Sequence, residues 1–111
     1  DLSSLAMEVA EPQKFGIFRL KGDLMVELVE KPKEYISNLA NAALYVLDSE
    51  IFSEIDKLQP SPRGEYELTD ALTSLAQRRP IHCVKSTGYW IPIGYPEDIQ
   101  KTEQILKQHN F

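Results

Sequence analysis

A carboxylate, a cation and an amide occur close together, near the ends of two apolar segments. Glu30 and Lys31 end the first segment, where Pro32 stops a strand because proline has no backbone N–H and holds the preceding residue extended. Alternation along a strand points Glu30 and Lys31 to opposite faces. Asn41 lies in the second segment, 39–47, and is followed by small residues that would let a ligand approach the backbone. These groups suit a ligand with several hydroxyls and a phosphate. On composition alone, a salt-bridged loop with a buried asparagine is the simpler interpretation.

Composition and charge narrow the classes of function. The chain has 111 residues and a net charge of −5, which predicts one domain at most, with a modest core. The negative charge argues against nucleic-acid or anionic-membrane partners, since both require clustered Lys and Arg. No apolar run approaches the roughly 18 residues of a membrane span, and no signal-peptide pattern is present. Cys83 is the only cysteine, so we expect no intrachain disulfide, an inert buried thiol and a reducing, cytoplasmic location.

Apolar patterning predicts an α/β fold, because strands and helices alternate after residue 39. A short strand is expected at 5–9 and a hairpin before residue 31, with Gly22 at its turn. The expected strands of this hairpin and beyond are 15–20, 24–30, 39–47, 81–85 and 88–93. The expected helices are 49–58, capped by Asp48, a second helix capped by Thr69 or Asp70, and a last helix with Pro96 in its first turn. The residues predicted to face inward are Ile51, Phe52, Ile55 and Leu58 in the first helix. In the second helix they are Leu72, Leu75 and Ala76, and in the last helix Ile99, Ile105 and Leu106.

Four ordered motifs resemble the sugar-phosphate half of the sugar nucleotidyltransferases, which include glucose-1-phosphate thymidylyl-, uridylyl- and mannose-1-phosphate guanylyltransferases. They are Pro12-Gln13-Lys14-Phe15-Gly16, Glu30-Lys31-Pro32 with the segment 37–46, the segment 60–70, and the segment 88–98. The resemblance implies the C-terminal part of a Rossmann-like α/β/α nucleotidyltransferase domain with a mixed sheet. Residues 1–111 would form a partial domain without the nucleotide-binding half, and Asp1-Leu2-Ser3 would be the trace of a preceding helix.

The resemblance also implies roles for individual side chains, all in binding sugar 1-phosphate. Lys31 would contact the phosphate, and Glu30 would accept hydrogen bonds from sugar hydroxyls. Asn41 would lie beside the sugar, with Tyr45 on the same face of the strand by alternation. Core packing explains Tyr45 equally well. Arg63 would be a second phosphate ligand, and no residue of the chain is assigned a catalytic role.

Two positions depart from the family pattern. Pro92 stands where relatives have an aspartate that binds Mg²⁺, and proline offers no side-chain oxygen. Mg²⁺ is therefore expected for the family, while its retention here is in question and no metal ligand is assigned in the chain. Ala43 replaces the usual glycine near the sugar. The acidic residues of the third motif, Glu65, Glu67 and Asp70, are interpreted as turn and cap residues rather than as a metal site.

These observations leave two main hypotheses. The first is a portion of a sugar-1-phosphate nucleotidyltransferase, in which a sugar 1-phosphate attacks the α-phosphorus of a nucleoside triphosphate and pyrophosphate leaves. The second is a non-catalytic regulatory or assembly subunit, which Pro92 and Ala43 favour. A plain α/β interaction domain would require the four motifs to be chance. No nucleic-acid or membrane partner is expected, and a homo-oligomer is compatible with the sequence.

Overall fold

Five strands and three α-helices make up the part of the chain that the computed structural model describes, residues 1–109. The strands are β1 (Leu2–Glu8), β2 (Gly16–Lys21), β3 (Leu24–Glu30), β4 (Leu39–Val46) and β5 (Ile81–Lys85). The helices are α1 (Glu50–Asp56), α2 (Leu68–Ala76) and α3 (Glu97–Gln108), and a 3-10 turn spans Pro12–Lys14. None of these helices is both long enough and apolar enough to cross a membrane.

The strands form one mixed sheet in the order β1-β4-β2-β3-β5. β5 returns to lie beside β1 in parallel, after the crossover through α1 and α2, whereas the other pairings are antiparallel. A parallel pair needs such a crossover, while antiparallel strands can be joined by a tight turn. The expected α/β class and mixed sheet are confirmed.

The β2–β3 hairpin forms as predicted. Gly22 adopts a φ of 63° at the turn, a conformation that glycine enters without steric cost. Arg19 and Glu27 face each other across the two strands, and the Arg19 Nε donates to the Glu27 carboxylate at 2.7 Å. The hairpin register brings Gly16 opposite Glu30 at the open end.

The core lies between the sheet and the helices α1 and α2. Its largest fully buried side chains are Phe18, Leu28, Leu72, Leu75 and Ile81, whereas Ile17, also fully buried, is not part of this cluster. Burying each such side chain contributes about 1.5–3 kcal/mol. The inward positions predicted for α2 are confirmed, because its leucines are buried and Ala76 packs against the same cluster.

A side chain of α2 also bonds the backbone of β3. The Thr73 hydroxyl accepts the Leu28 N–H at 2.9 Å. The Leu28 carbonyl lies 3.2 Å from the same oxygen, and the Thr69 carbonyl lies 2.9 Å from it. α2 is therefore fixed to the middle of β3 by polar as well as apolar contacts.

β4 contains a bulge. Ser4 of β1 pairs with Tyr45, but Ala6, only two residues on, pairs with Asn41 four residues back along β4. The extra residues bend the strand, and Ala43 within them has a φ of 60°. A bulge of this kind re-aims the side chains around it.

Several predicted elements are wrong. Residues 1–3 are not a helix trace, because β1 begins at Leu2 and pairs with β4 and β5. The segment 88–93 is not a strand and has no regular structure. Pro92 cannot donate to a strand ladder, and its neighbours show no partner strand among the sheet pairings of the described residues.

The prediction for the buried face of α1 is only partly correct. Ile51 is buried and Leu58 packs against the core, but Phe52 is 65% exposed and Ile55 is 39% exposed. Glu54 lies inward instead, because Arg78 follows α2 and donates to its carboxylate at 2.5 Å. A charge partner at that position lets a carboxylate take the place that the apolar pattern assigned to another residue.

The predicted buried face of α3 is wrong, since no residue of this helix is buried. Ile99 and Leu106 are exposed, and Ile105 is only half-buried. The helix turns Asp98 and Lys101 towards a surface cavity rather than packing an apolar stripe against the sheet.

The predicted caps differ as well. α2 begins at Leu68 with no side-chain cap, and Thr69 is buried rather than capping. Asp70 lies in the first turn, not at the cap. Asp48 does accept the Glu50 N–H at 3.0 Å, although Ser49 occupies the cap position of α1.

Candidate functional site

Gly16 lies where the end of β3, the start of β4 and the first turn of α2 meet. A Cβ added to Gly16 would lie 2.9 Å from Oε2 of Glu30 and 3.6 Å from both the Asn41 Cβ and the Thr69 Cγ2. A side chain at Gly16 would therefore displace the Glu30 carboxylate. The structure thus places Glu30 and Asn41 together, as the sequence predicted, and adds Gly16 and Thr69 as neighbours.

The side-chain amide of Asn41 is fixed in one orientation. Its Oδ1 accepts the backbone N–H of Ala43 at 2.9 Å, so this oxygen cannot be exchanged with the nitrogen. Its Nδ2 donates to the Tyr45 hydroxyl at 2.5 Å. Because the Tyr45 oxygen accepts from Asn41, the Tyr45 proton is free to point to another acceptor.

Tyr45 is half-buried and lies near enough to Glu30 for the two groups to interact electrostatically. Burial raises the pKa of the Tyr45 phenol, the hydrogen bond from Asn41 opposes this shift, and the negative charge of Glu30 adds to it. Tyr45 is therefore a neutral donor at pH 7, beside a carboxylate that only accepts. A donor and an acceptor side by side can bind neighbouring hydroxyl groups.

Lys31 lies just beyond β3, so strand alternation does not set its direction, and the extended backbone expected for it before Pro32 is wrong. Its backbone has a φ of 46°, and its N–H donates to the Phe15 carbonyl at 2.9 Å. Its side chain is exposed and lines a cavity of about 520 Å³ that we call the Lys31 cavity. Pro92 lines the same cavity, so the structure brings these two positions to one space.

The Lys31 cavity is lined by further charged groups: Glu11, Lys14, Asp98 and Lys101. The ammonium of Lys14 lies 2.7 Å from the Glu11 carboxylate and 5.8 Å from the centre of the Tyr95 ring. The hydrogen bond and the charge of Lys14 lower the pKa of Glu11, with a smaller contribution from Lys101. Asp98 Oδ2 accepts the backbone N–H groups of Gly94 and Tyr95 at 3.1 and 3.0 Å.

An aromatic pair forms the wall behind this cavity. The Phe15 and Trp90 rings lie 5.5 Å apart at an angle of 52°. Phe15 lines the cavity itself, and Trp90 is half-buried behind it. Trp90 therefore packs against Phe15 and does not itself line the cavity.

Arg63 lies on the loop before α2 and forms ion pairs with carboxylates of the same segment. Its guanidinium lies 3.1 Å from Glu67 and 3.4 Å from Glu65, and Ser61 also donates to Glu67. Glu65 and Glu67 thus stabilise the turn, as expected. The contacts described for Arg63 are local to this loop, so its role as a second phosphate ligand stays a prediction.

Residues 1–109 do not provide a metal site by themselves, since no group of three or more His, Cys, Asp or Glu side chains among them could hold an ion. Pro92 has no oxygen to offer in the Lys31 cavity. Cys83 is buried, and burial, together with the nearby charge of Asp23, raises the pKa of its thiol to about 11. Such a thiol is protonated at pH 7 and unreactive.

Sequence reasoning missed four positions around the site: Gly16, Thr69, Lys14 and Lys101. For Gly16, the signal was available, because a glycine inside a strand often marks a close approach to another group. Thr69 was mistaken for a helix cap. No local pattern connects Lys14 with Lys101, because only the fold brings the two together.

Comparison with known proteins identifies the family of the chain. Residues 1–109 match the family model described as nucleotidyl transferase. The chain is 45% identical over 94 residues to the bifunctional protein GlmU of Methanococcus maripaludis. The aligned residues cover 82% of the chain and 23% of that protein. It is 38% identical over 96 residues to a bifunctional sugar-1-phosphate nucleotidylyltransferase/acetyltransferase of Sulfurisphaera tokodaii, covering 86% of the chain and 24% of that protein.

Two solved structures share the fold. One is described as a glucose-1-phosphate thymidylyltransferase of Bacillus anthracis, with a TM-score of 0.81 and 32% identity over 99% of the chain and 45% of that structure. The other is a UDP-glucose pyrophosphorylase in complex with UDP-glucose, with a TM-score of 0.83 and 29% identity over 96% of the chain and 44% of that structure. The chain thus spans about a quarter of the length of the two curated relatives, 23% of one and 24% of the other. With its family model matched from residue 1 to 109, the chain belongs to the nucleotidyl transferase family.

Proposed function

We propose that this chain forms the sugar-1-phosphate-binding portion of a sugar-1-phosphate nucleotidyltransferase. In the whole protein, a sugar phosphate oxygen would attack the α-phosphorus of a nucleoside triphosphate, and pyrophosphate would leave. Membership of the family and the sugar-1-phosphate nucleotidylyltransferase among the relatives support this reaction. The single buried Cys83 supports a reducing compartment, the cytoplasm.

The observation that carries the proposal is the convergence of Glu30, Asn41 and Tyr45 beside Gly16. The Glu30 carboxylate accepts hydrogen bonds from sugar hydroxyls, and the Tyr45 proton is donated to a sugar oxygen. Asn41 keeps one amide hydrogen for the ligand, because its Oδ1 and its other hydrogen are held by Ala43 and Tyr45. The missing side chain of Gly16 leaves room for the carboxylate to take this position.

Lys31 supplies the charge for the phosphate. Its ammonium is a compact cation, and Lys31 directly follows Glu30 in the chain and lines the Lys31 cavity. Holding the sugar by Glu30 and the phosphate by Lys31 would fix the attacking oxygen in one direction. Such positioning and charge neutralisation account for much of the acceleration in transfers of this type. We include Arg63 as a second phosphate ligand that would exchange its present partners for the phosphate.

Binding measurements on substituted proteins test this division of roles. Glu30→Gln should weaken binding of free sugar and sugar 1-phosphate by similar factors, roughly 10- to 100-fold, since a hydrogen bond to a charged group contributes about 1.5–3 kcal/mol. Lys31→Ala and Arg63→Ala should weaken only the binding of sugar 1-phosphate. Glu27→Gln, on the same strand but paired with Arg19, is the control. Equal losses for both ligands in Lys31→Ala and Arg63→Ala would remove these residues from the phosphate site.

A second candidate is a non-catalytic relative that retains the sugar-phosphate pocket for regulation or assembly. Pro92 favours it, because this residue lines the cavity next to Lys31 and cannot bind a metal through its side chain. Under this hypothesis the protein binds sugar 1-phosphate but forms no nucleotide sugar. Product formation from a nucleoside triphosphate and a sugar 1-phosphate by the protein separates the two candidates.

A further inference from the structure

Three lysines from separate elements line the Lys31 cavity. Lys14 ends the 3-10 turn before β2, Lys31 follows β3, and Lys101 lies in the second turn of α3. They are 17 and 70 residues apart in sequence, by subtraction of their numbers. The fold therefore brings three lysines to the lining of one cavity of about 520 Å³.

The two carboxylates of the cavity are already engaged. Glu11 is paired with Lys14 at 2.7 Å, and Asp98 accepts two backbone N–H groups at the start of α3. Lys31 and Lys101 have no comparably close carboxylate among the ion pairs of the described residues. The remaining wall is largely apolar, with Phe15 and Pro92 among its members. A partly apolar wall strengthens the interaction of the ammonium groups with an anion, because it excludes water.

We propose that the Lys31 cavity binds a second phosphoryl group, of the kind carried by a diphosphate, and that Lys14 and Lys101 are its ligands together with Lys31. The proposal rests on the proposed function for the role of Lys31 and extends it to two further residues. The ammonium groups carry this binding, so it should not require a divalent cation.

Glu11 competes with the anion for Lys14 in this arrangement. It holds Lys14 in an ion pair when no ligand is bound, and it adds a negative charge that repels one. When a phosphoryl group enters, Lys14 exchanges the carboxylate for a phosphoryl oxygen. Removing the charge of Glu11 should therefore strengthen anion binding, whereas removing either lysine should weaken it. A merely structural role for these exposed residues would not produce opposite signs.

Calorimetric titration with inorganic pyrophosphate, in EDTA and at low ionic strength, tests the proposal. Lys14→Gln and Lys101→Gln should each weaken binding roughly five- to tenfold, and Glu11→Gln should tighten it a few fold. Lys107→Gln is the matched control, because Lys107 lies on the same helix but does not line the cavity. Raising the salt concentration should weaken binding in the parent protein.

Unchanged affinity in Lys14→Gln and Lys101→Gln would overturn the proposal, as would an equal loss in Lys107→Gln, which would indicate only a general effect of charge. Thermal unfolding of each variant checks that the fold is kept. Titration of Glu30→Gln with free sugar separates this result from the proposed function. If Glu30→Gln loses sugar binding but the lysine variants keep full pyrophosphate affinity, only the proposal for the cavity is refuted. If Glu30→Gln keeps full sugar affinity but the lysine variants lose pyrophosphate binding, only the proposed sugar site is refuted.

Discussion

The Asn41 side chain donates to the Tyr45 hydroxyl at 2.5 Å, although the two residues are four positions apart on one strand. Four residues of regular strand span about 13 Å, which normally keeps such side chains apart. The bulge around Ala43 shortens this distance, since four residues of β4 lie opposite two of β1. The local irregularity thus creates the polar pair that lines the proposed sugar site.

Tyr45→Phe should lower both the affinity for sugar and the stability of the fold. The variant loses a donor to the ligand and leaves the Asn41 amide without its acceptor, which should cost about 1 kcal/mol of stability and about a factor of five to ten in sugar affinity. Calorimetry and urea unfolding measure the two effects. Tyr35→Phe is the control, because Tyr35 is 77% exposed. Unaltered sugar affinity in Tyr45→Phe would show that this hydroxyl does not contact the ligand.

Ala43→Gly should stabilise the protein. A left-handed backbone costs an alanine roughly 1–2 kcal/mol, and the greater freedom of glycine in the unfolded chain offsets about 0.4–1 kcal/mol of this gain. We expect a net increase of about 0.5–1 kcal/mol in the free energy of unfolding, measured with urea. Ala42→Gly, one residue earlier in the same strand, should instead destabilise. A loss of stability in Ala43→Gly would mean that the φ of 60° carries no strain.

Glu54 should make stability depend on pH in the acid range. The hydrogen bond from Arg78 is the main cause that lowers the pKa of Glu54 below its ordinary value of 4.5, and burial opposes this shift. The folded state therefore holds its proton less tightly than the unfolded state, so the contribution is present above pH 4.5 and is lost as the pH falls through the lowered folded value.

Urea unfolding between pH 7 and pH 3 checks this expectation. The parent should lose more stability on acidification than Glu54→Gln, whose amide does not titrate. Glu103→Gln, at an exposed position of α3, should follow the parent. Parallel curves for the parent and Glu54→Gln would contradict the assignment.

Pro92→Asp should increase the response to Mg²⁺. The variant adds a hard oxygen ligand to the wall of the Lys31 cavity, which Mg²⁺ prefers. In the whole protein, we expect a higher initial rate and a lower half-saturating Mg²⁺ concentration than in the parent. Pro60→Asp, in the loop before α2, is the control. Identical titrations of parent and Pro92→Asp would show that this position does not hold the metal.

Local rules predicted the elements that depend on neighbouring residues. The ends of β3 and β5 and the turn at Gly22 follow from proline, glycine and alternating apolar residues. Resemblance to the family then directed attention to Asn41 and Tyr45, which composition alone would have left as core residues.

The incorrect predictions have a different physical origin. On α1, Phe52 and Ile55 are exposed, while Glu54 lies inward and pairs with Arg78 from beyond α2. The segment 88–93 is as apolar as a strand but has no partner strand in the described sheet. In both cases, residues distant in sequence decide the outcome, and no local window contains them.

The bond between Thr73 and Leu28 has a consequence for association between molecules. β3 has β2 along one side, but on the other side it pairs with β5 only at Leu24 among the described residues. The free backbone groups of such an edge can recruit a strand from another chain. Because the Thr73 hydroxyl already bonds the Leu28 N–H and lies within reach of its carbonyl, the middle of this edge is closed to an incoming strand. One threonine on α2 therefore occupies the backbone groups of Leu28 that an added strand would need, a role independent of anything the protein binds.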